Sequence, residues 1–164
     1  RSSLVVWGPG LIPSNKNEDT GKVNLKSVFC AVDLVPTLLD LAEVPHPKGV
    51  KYDGESLPEV LLGKSEDSRK QDIFFRRPPD RDSFYGVRDL PDLAVRSGKW
   101  KLLCEYDGAD ALLYDMEKDR GETRDLSEKH PEVVARLSKA VIAWHESMPP
   151  DNGPALGSKP KKKK

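Results

Sequence analysis

Apolar residues recur with two different periods along this chain, and the changes of period mark out its elements. Leu4 to Trp7 is a short apolar run stopped by Gly8-Pro9-Gly10, the pattern of a buried parallel strand. Residues 14–22 are polar and show no apolar face, which predicts an exposed loop ahead of Val23 to Phe29. A helix is expected next. Asp33 is placed to cap it, Pro36 is tolerated in its first turn, and Val32, Val35, Leu38, Leu39 and Ala42 fall on one side at helical spacing. That side is therefore expected to be buried.

From Pro45 to Gly63 the sequence is rich in Pro and Gly. It predicts a loop-dominated connection, with a turn at Tyr52-Asp53-Gly54 and a short apolar helix or extended turn over Leu57 to Leu62. Ile73-Phe74-Phe75 reads as a strand, followed by the charged, irregular stretch Arg76-Arg77-Pro78-Pro79-Asp80-Arg81-Asp82. The clearest hairpin joins Leu93–Arg96 to Trp100–Tyr106 through Ser97-Gly98-Lys99, and Asp107-Gly108 marks a further turn before Leu112 to Asp115. A last helix begins at Pro131, carries Val133, Val134, Leu137, Ala140, Val141 and Trp144 as one stripe, and is ended by Pro149-Pro150. It should cover one face of the small antiparallel sheet. The predicted architecture is the end of an α/β domain followed by an α+β subdomain with a packing helix.

Composition changes this picture at the two ends. The 164 residues are enough for one core, and no apolar run approaches the roughly 20 residues that span a bilayer. The chain opens on Arg1 just before an apparent central strand, without a leader, a cap or a methionine, so a preceding portion is expected. The formal charge is zero, but five lysines fall among the last six residues; without them, 22 basic residues face 27 acidic ones over residues 1–158. That acidic body excludes a nucleic-acid surface as its main business, and the Lys tail reads as a solvated terminus without a core to join. Cys30 and Cys104 sit in apolar contexts, either as buried free thiols or, in an oxidising compartment, as one disulfide.

Candidate chemistry is thin. His46, His130 and His145 lie far apart, none with a Cys or His at ligand spacing, so no zinc site is predicted. No serine sits in a Gly-x-Ser-x-Gly elbow. Asp33, Asp40 and Asp53 stand singly in capping or turn contexts, whereas a hard cation needs several converging oxygens. Arg76, Arg77, Arg81 and Arg88 carry the guanidinium groups that grip sulfate or carboxylate in two-pronged fashion. Asp80, Asp82 and Asp89 would balance the same loop as a solvated mixture of charge. Trp100 and Tyr106 have rings that could stack on a sugar, although strand alternation makes Trp100 a core candidate.

Several blocks, taken in order, resemble the type I sulfatases of the alkaline-phosphatase-like superfamily. They are Leu4-Val5-Val6-Trp7-Gly8-Pro9-Gly10, then Val32-Asp33-Leu34-Val35-Pro36-Thr37-Leu38-Leu39-Asp40-Leu41-Ala42, Asp53-Gly54-Glu55-Ser56-Leu57 and Ala94 to Leu103. Leu113-Tyr114-Asp115-Met116 with Asp119, Gly121-Glu122, Asp125-Leu126 and His130-Pro131-Glu132-Val133 completes the series. Together they cover the chain from Leu4 to about Trp144, and they are similar to the C-terminal portion of that family.

The resemblance implies residues 1–63 as the end of the sulfatase α/β sandwich and 64–148 as the antiparallel C-terminal subdomain, while composition alone marks 149–164 as a Pro/Lys-rich tail expected to lack fixed structure. It implies sulfuric ester hydrolysis, of a sulfated sugar or aryl sulfate, by a formylglycine beside a calcium ion. Both belong to the portion expected upstream, since the formylglycine forms within Cys/Ser-x-Pro/Ala-x-Arg. Ser56-Leu57-Pro58-Glu59-Val60 and Ser147-Met148-Pro149-Pro150-Asp151 lack the arginine of that motif, and neither cysteine fits it. No catalytic or metal residue is carried over. Arg76, Arg77 and Arg81 remain as substrate-binding candidates, and the partners implied are the N-terminal sulfatase portion and a sulfated glycan or small molecule. The resemblance also implies a periplasmic, secreted or lysosomal setting. Two other readings stand beside it: a non-catalytic module for an anionic partner, and a related metal-dependent phosphatase or phosphonate hydrolase.

Overall fold

A computed structural model of the chain describes residues 3–8, 10–12, 23–77 and 91–149. It divides into two compact units, Arg1–Gln71 and Asp72–Lys164. The Lys tail lies outside the described residues, as do Arg81 and Arg88.

The second unit contains the expected antiparallel sheet. Strands β1 (Ile73–Arg76), β2 (Leu93–Ser97), β3 (Trp100–Cys104) and β4 (Leu112–Asp115) pair in sequence order, each antiparallel to the next. Ser97 pairs with Trp100, leaving Gly98-Lys99 as the turn, and Gly98 takes the left-handed φ of 52° that a side chain would resist. Side chains alternate across a strand, so Leu93 and Val95 of β2 share a face with Leu102 and Cys104 of β3 and Leu113 of β4. Helix α3 (Pro131–Ser147) covers that face with Leu137 and Val141, and these seven residues are at most 1% exposed. Fully burying each such aliphatic side chain contributes roughly 1.5–3 kcal/mol. Phe74 extends the contact by stacking on Trp144, with ring centroids 5.5 Å apart. The free edge of β4 is covered: the Leu126 N–H donates to the Leu113 carbonyl at 2.8 Å, and the Leu113 N–H to the Asp125 carboxylate at 3.0 Å.

The first unit departs from its expected packing. A single 3-10 turn (Ala31–Asp33) leads into α1 (Leu34–Leu41), and Pro58 opens the short α2 (Pro58–Leu61). The strand expected at Leu4 to Trp7 is not formed. Those residues pair with no described neighbour, and Val5 and Trp7 are 87% and 84% exposed, because a strand holds only when another strand completes its ladder. The stripe expected to be buried on α1 is likewise bare: Val32, Val35, Leu38 and Ala42 are exposed, and Leu39 is half-buried. The opposite face is inside, with Asp33, Pro36 and Thr37 buried. Spacing located the stripe correctly, but nothing described in this unit offers an apolar surface to cover it.

Candidate functional site

The polar face of α1 is joined to the Asp53-to-Leu57 segment residue by residue. Asp33 does not cap α1 through its side chain. Its carboxylate accepts the Cys30 N–H and the Glu55 N–H, both at 2.8 Å, and lies 3.4 Å from the Arg69 guanidinium. One turn on, the Thr37 hydroxyl accepts the Leu57 N–H at 3.0 Å, and Asp40 binds the Ser56 hydroxyl and, at 2.8 Å, His46. Glu55 turns the other way and accepts the main-chain N–H groups of Lys70 and Gln71. Gly54 makes the close approach feasible, since a β-carbon there would lie 2.0 Å from the Val32 carbonyl oxygen. Asp33, Asp40 and Asp53 are therefore not isolated. The first two bind side chains and main chain of one segment, and the Asp53 carbonyl accepts from Arg69 at 3.4 Å. Arg69 and Asp33, 3% and 0% exposed, form an ion pair that no local spacing announces, since 36 positions separate them in the chain.

In the second unit the candidate arginines part company. Alternation sends Arg76 toward the α3 face and Arg77 toward the other. Arg76 makes no hydrogen bond or ion pair among the described residues, so its charge is uncompensated there. Arg77 pairs with Asp92 at 3.5 Å, its N–H donates to the Asp92 carbonyl at 2.8 Å, and its carbonyl accepts the Tyr106 hydroxyl at 3.1 Å. The Arg77 Nε is buried without a hydrogen-bond partner. Neighbouring Glu105 is pushed above its ordinary value by burial, by a hydrogen bond to Asp92, and by the charges of Asp92 and Asp110. The two aromatic candidates are engaged within the unit. Trp100 lies 4.9 Å from the His130 ring with the Lys99 ammonium 4.7 Å over it, and Tyr106 lies 4.8 Å from the His145 ring.

The acidic residues after β4 are turn-builders. Asp115 accepts the N–H groups of Glu117 and Lys118, Asp119 those of Thr123 and Arg124, and Asp125 those of Leu113 and Ser127. Burial opposes ionisation at Asp115 and Asp125, yet these N–H groups hold both below the usual carboxylate range; at Asp119 the Arg124 N–H leads the same effect. Burial pushes the Cys104 thiol up to about 11, and both cysteines are free.

Against this geometry stand the comparisons. Residues 9–147 match the family described as N-sulphoglucosamine sulphohydrolase, C-terminal. The chain belongs to this sulfatase C-terminal family. It is 26% identical over 157 residues to a sulfatase of Formosa agariphila, and 29% identical over 143 residues to arylsulfatase K of Bos taurus. The alignments take in 88% and 84% of the chain but 27% and 24% of those relatives, so the chain spans about a quarter of their length. A solved Bacteroides thetaiotaomicron protein, from a core genetic locus for the metabolism of multiple glycosaminoglycans, superposes over 70% of the chain and 24% of its own. Its TM-score is 0.52 at 23% identity, which shows a shared fold. A second, solved in complex with k-i-k-neocarrahexaose, superposes over 68% of the chain and 23% of its own, with a TM-score of 0.53 at 21% identity.

In this chain the blocks legible in the sequence are joints between segments. The Asp53-to-Leu57 block is the seam on α1, and the Asp115-to-Leu126 block is the run of turns that covers β4. The calcium and formylglycine implied by the resemblance do not fit the described residues. No three His, Cys, Asp or Glu side chains among them converge to hold an ion, and Cys30 and Cys104 are followed by Ala-Val-Asp and Glu-Tyr-Asp. Among the described residues, no helix is long and apolar enough to cross a membrane.

Proposed function

We propose that this chain is the C-terminal portion of a sulfuric ester hydrolase acting on a sulfated sugar, and that an upstream portion supplies the formylglycine and calcium. The observation that carries this reading is the bare stripe on α1. Val32, Val35 and Leu38 are 44%, 53% and 52% exposed at the spacing of a core-facing helix, while the polar face is spent on Asp53 to Leu57. Apolar area presented in this order is what a covering sheet would bury, at roughly 25 cal/mol per Å². The share of its relatives' length that the chain spans supports the same reading.

On this proposal the first unit, with Leu4 to Trp7, completes the sheet and helix layer of an α/β domain. The second contributes a wall of the substrate cleft. Arg76, uncompensated among the described residues, is the stronger sulfate-binding candidate; Asp92 offsets Arg77, and Arg81 lies outside the described residues. The test is hydrolysis of a chromogenic aryl sulfate with calcium present. The 164-residue chain alone gives no turnover above blank, whereas the polypeptide joined to its upstream portion turns over, and Arg76→Ala in that longer protein raises KM more than it lowers kcat. Turnover by the chain alone would overturn the proposal. So would a longer protein that cleaves an aryl phosphate in preference to the sulfate, which would move it to the phosphatases.

A further inference from the structure

The loop that follows α1 is built as a stiff arm. The chain leaves the helix through a left-handed residue, Glu43 at φ 54°, with the Glu43 N–H donating to the Asp40 carbonyl at 3.1 Å and the Val44 N–H to the Leu39 carbonyl at 2.9 Å. From Ala42 to Lys51 every residue is exposed, so this stretch stands off the body of its own unit. Its base is fastened twice to one side chain: Asp40 binds His46 at 2.8 Å on the outgoing limb and the Ser56 hydroxyl on the returning one. The Ser56 bond first and the His46 bond second hold that carboxylate below its ordinary value, so it is ionised at neutral pH. Above the base, the His46 and Tyr52 rings meet edge to face with centroids 5.4 Å apart. The tip is a tight turn, closed by the Val50 N–H donating to the Pro47 carbonyl at 3.4 Å, with Gly49 at a left-handed φ of 79°. Pro45 and Pro47 fix two more backbone torsions.

What this arm carries is positive charge. Lys48 sits within the turn and Lys51 directly after it; both are exposed, and neither makes an ion pair or hydrogen bond among the described residues. Residues 44–52 contain no acidic side chain. Of the carboxylates around the arm, Asp40 is spent on its base and Glu55 on the Lys70 and Gln71 N–H groups, while Glu43 and Asp53 stand at its two roots, outside the turn. Ammonium groups on a turn already ordered bind an anion at less entropic cost than the same groups on a mobile chain, although each exposed charge pair contributes little by itself. A polymer of repeated anionic groups suits such a surface, because each weak contact adds to the others that the same polymer makes.

We propose that residues 45–52 form a binding surface for a sulfated polysaccharide, with Lys48 and Lys51 on its sulfate groups and Asp40 as the residue that positions the arm. The class of partner rests on the proposed hydrolase reading; the place of the site does not.

Lysine acylation read by mass spectrometry, on the 164-residue chain with and without a short sulfated oligosaccharide, resolves this site from the lysines at the C-terminus. The oligosaccharide should slow acylation at Lys48 and Lys51 and leave the exposed Lys139 of α3 unchanged, and its desulfated counterpart should protect neither. Lys48→Ala and Lys51→Ala should each weaken binding, read at the lysine that remains, by about two- to fivefold, and added salt should abolish it. Asp40→Ala separates a built surface from loose charge. It takes a negative charge away from the arm, so charge alone would tighten binding, whereas loss of the base should weaken it by about the same two- to fivefold. Equal protection by the desulfated sugar or by oligoglutamate, protection confined to the terminal lysines, or an Asp40→Ala chain that binds at least as tightly overturns the proposal. So do arm lysines already shielded, without sugar, in the chain joined to its upstream portion. None of these readouts depends on turnover, so the hydrolase reading stands or falls separately.

Discussion

The two units of this chain fold on opposite principles. In Asp72–Lys164 the interior is aliphatic: Leu93, Val95, Leu102, Leu113, Leu137 and Val141 are shut away by the sheet and α3, and charges such as Lys101 and Glu122 pair at the margins. Among the described residues of Arg1–Gln71 the buried ones are Asp33, Pro36, Thr37, Leu62 and Arg69, while Val5, Trp7, Val35 and Leu38 face outward. A sheet with its own helix can satisfy its apolar surface internally. A helix held only along its polar face cannot, and its apolar side stays bare among the described residues. The contrast teaches that compactness and self-sufficiency are separate properties: hydrogen bonds knit the first unit, yet they leave its hydrophobic free energy unspent.

Substitutions should separate the two designs. The largest effect is expected for Arg69→Ala, which strands the fully buried Asp33 carboxylate and should cost the first unit about 3–5 kcal/mol, as removing one partner of a buried pair does. Exchange of the Glu55 and Leu57 amides, which bond to Asp33 and Thr37, would report it; unchanged protection there would break the account of a polar interior. Leu137→Ala should destabilise the second unit by roughly 2–5 kcal/mol, read as a drop in its denaturation midpoint, while the Glu55 and Leu57 amides stay as protected as before. Smallest is Leu38→Ser on the bare stripe. It should change the stability of this chain by no more than about 0.5 kcal/mol, and, if the proposed function holds, weaken association with the proposed upstream portion in a pull-down or co-expression assay.

Legibility in the sequence followed the same division. β1 to β4, the Gly98 turn and α3 were all readable, because alternation, turn residues and a helical stripe act within a few positions and the second unit buries what they mark. On α1 the same signals located the helix and its stripe but misjudged which side lies inward. Periodicity identifies the apolar side of a helix, and burial depends on what stands opposite. The Arg69–Asp33 pair and the seam from Asp33, Thr37 and Asp40 to residues 53–57 were beyond the reach of local pattern, for they join segments distant in the chain. Of the arginine candidates, sequence could not distinguish Arg76 from Arg77. Strand register does, by setting Asp92 beside the second and leaving the first without a counter-charge among the described residues.

Gly54 carries a consequence for anyone who alters this protein. Its Cα passes so near the Val32–Asp33 peptide that a methyl group would occupy the space of the carbonyl oxygen. In a saturation library every other amino acid at this site should drop out, whatever its polarity. Redesign of the neighbouring exposed surface therefore has to treat position 54 as fixed and look for its freedom on the outer side of α1.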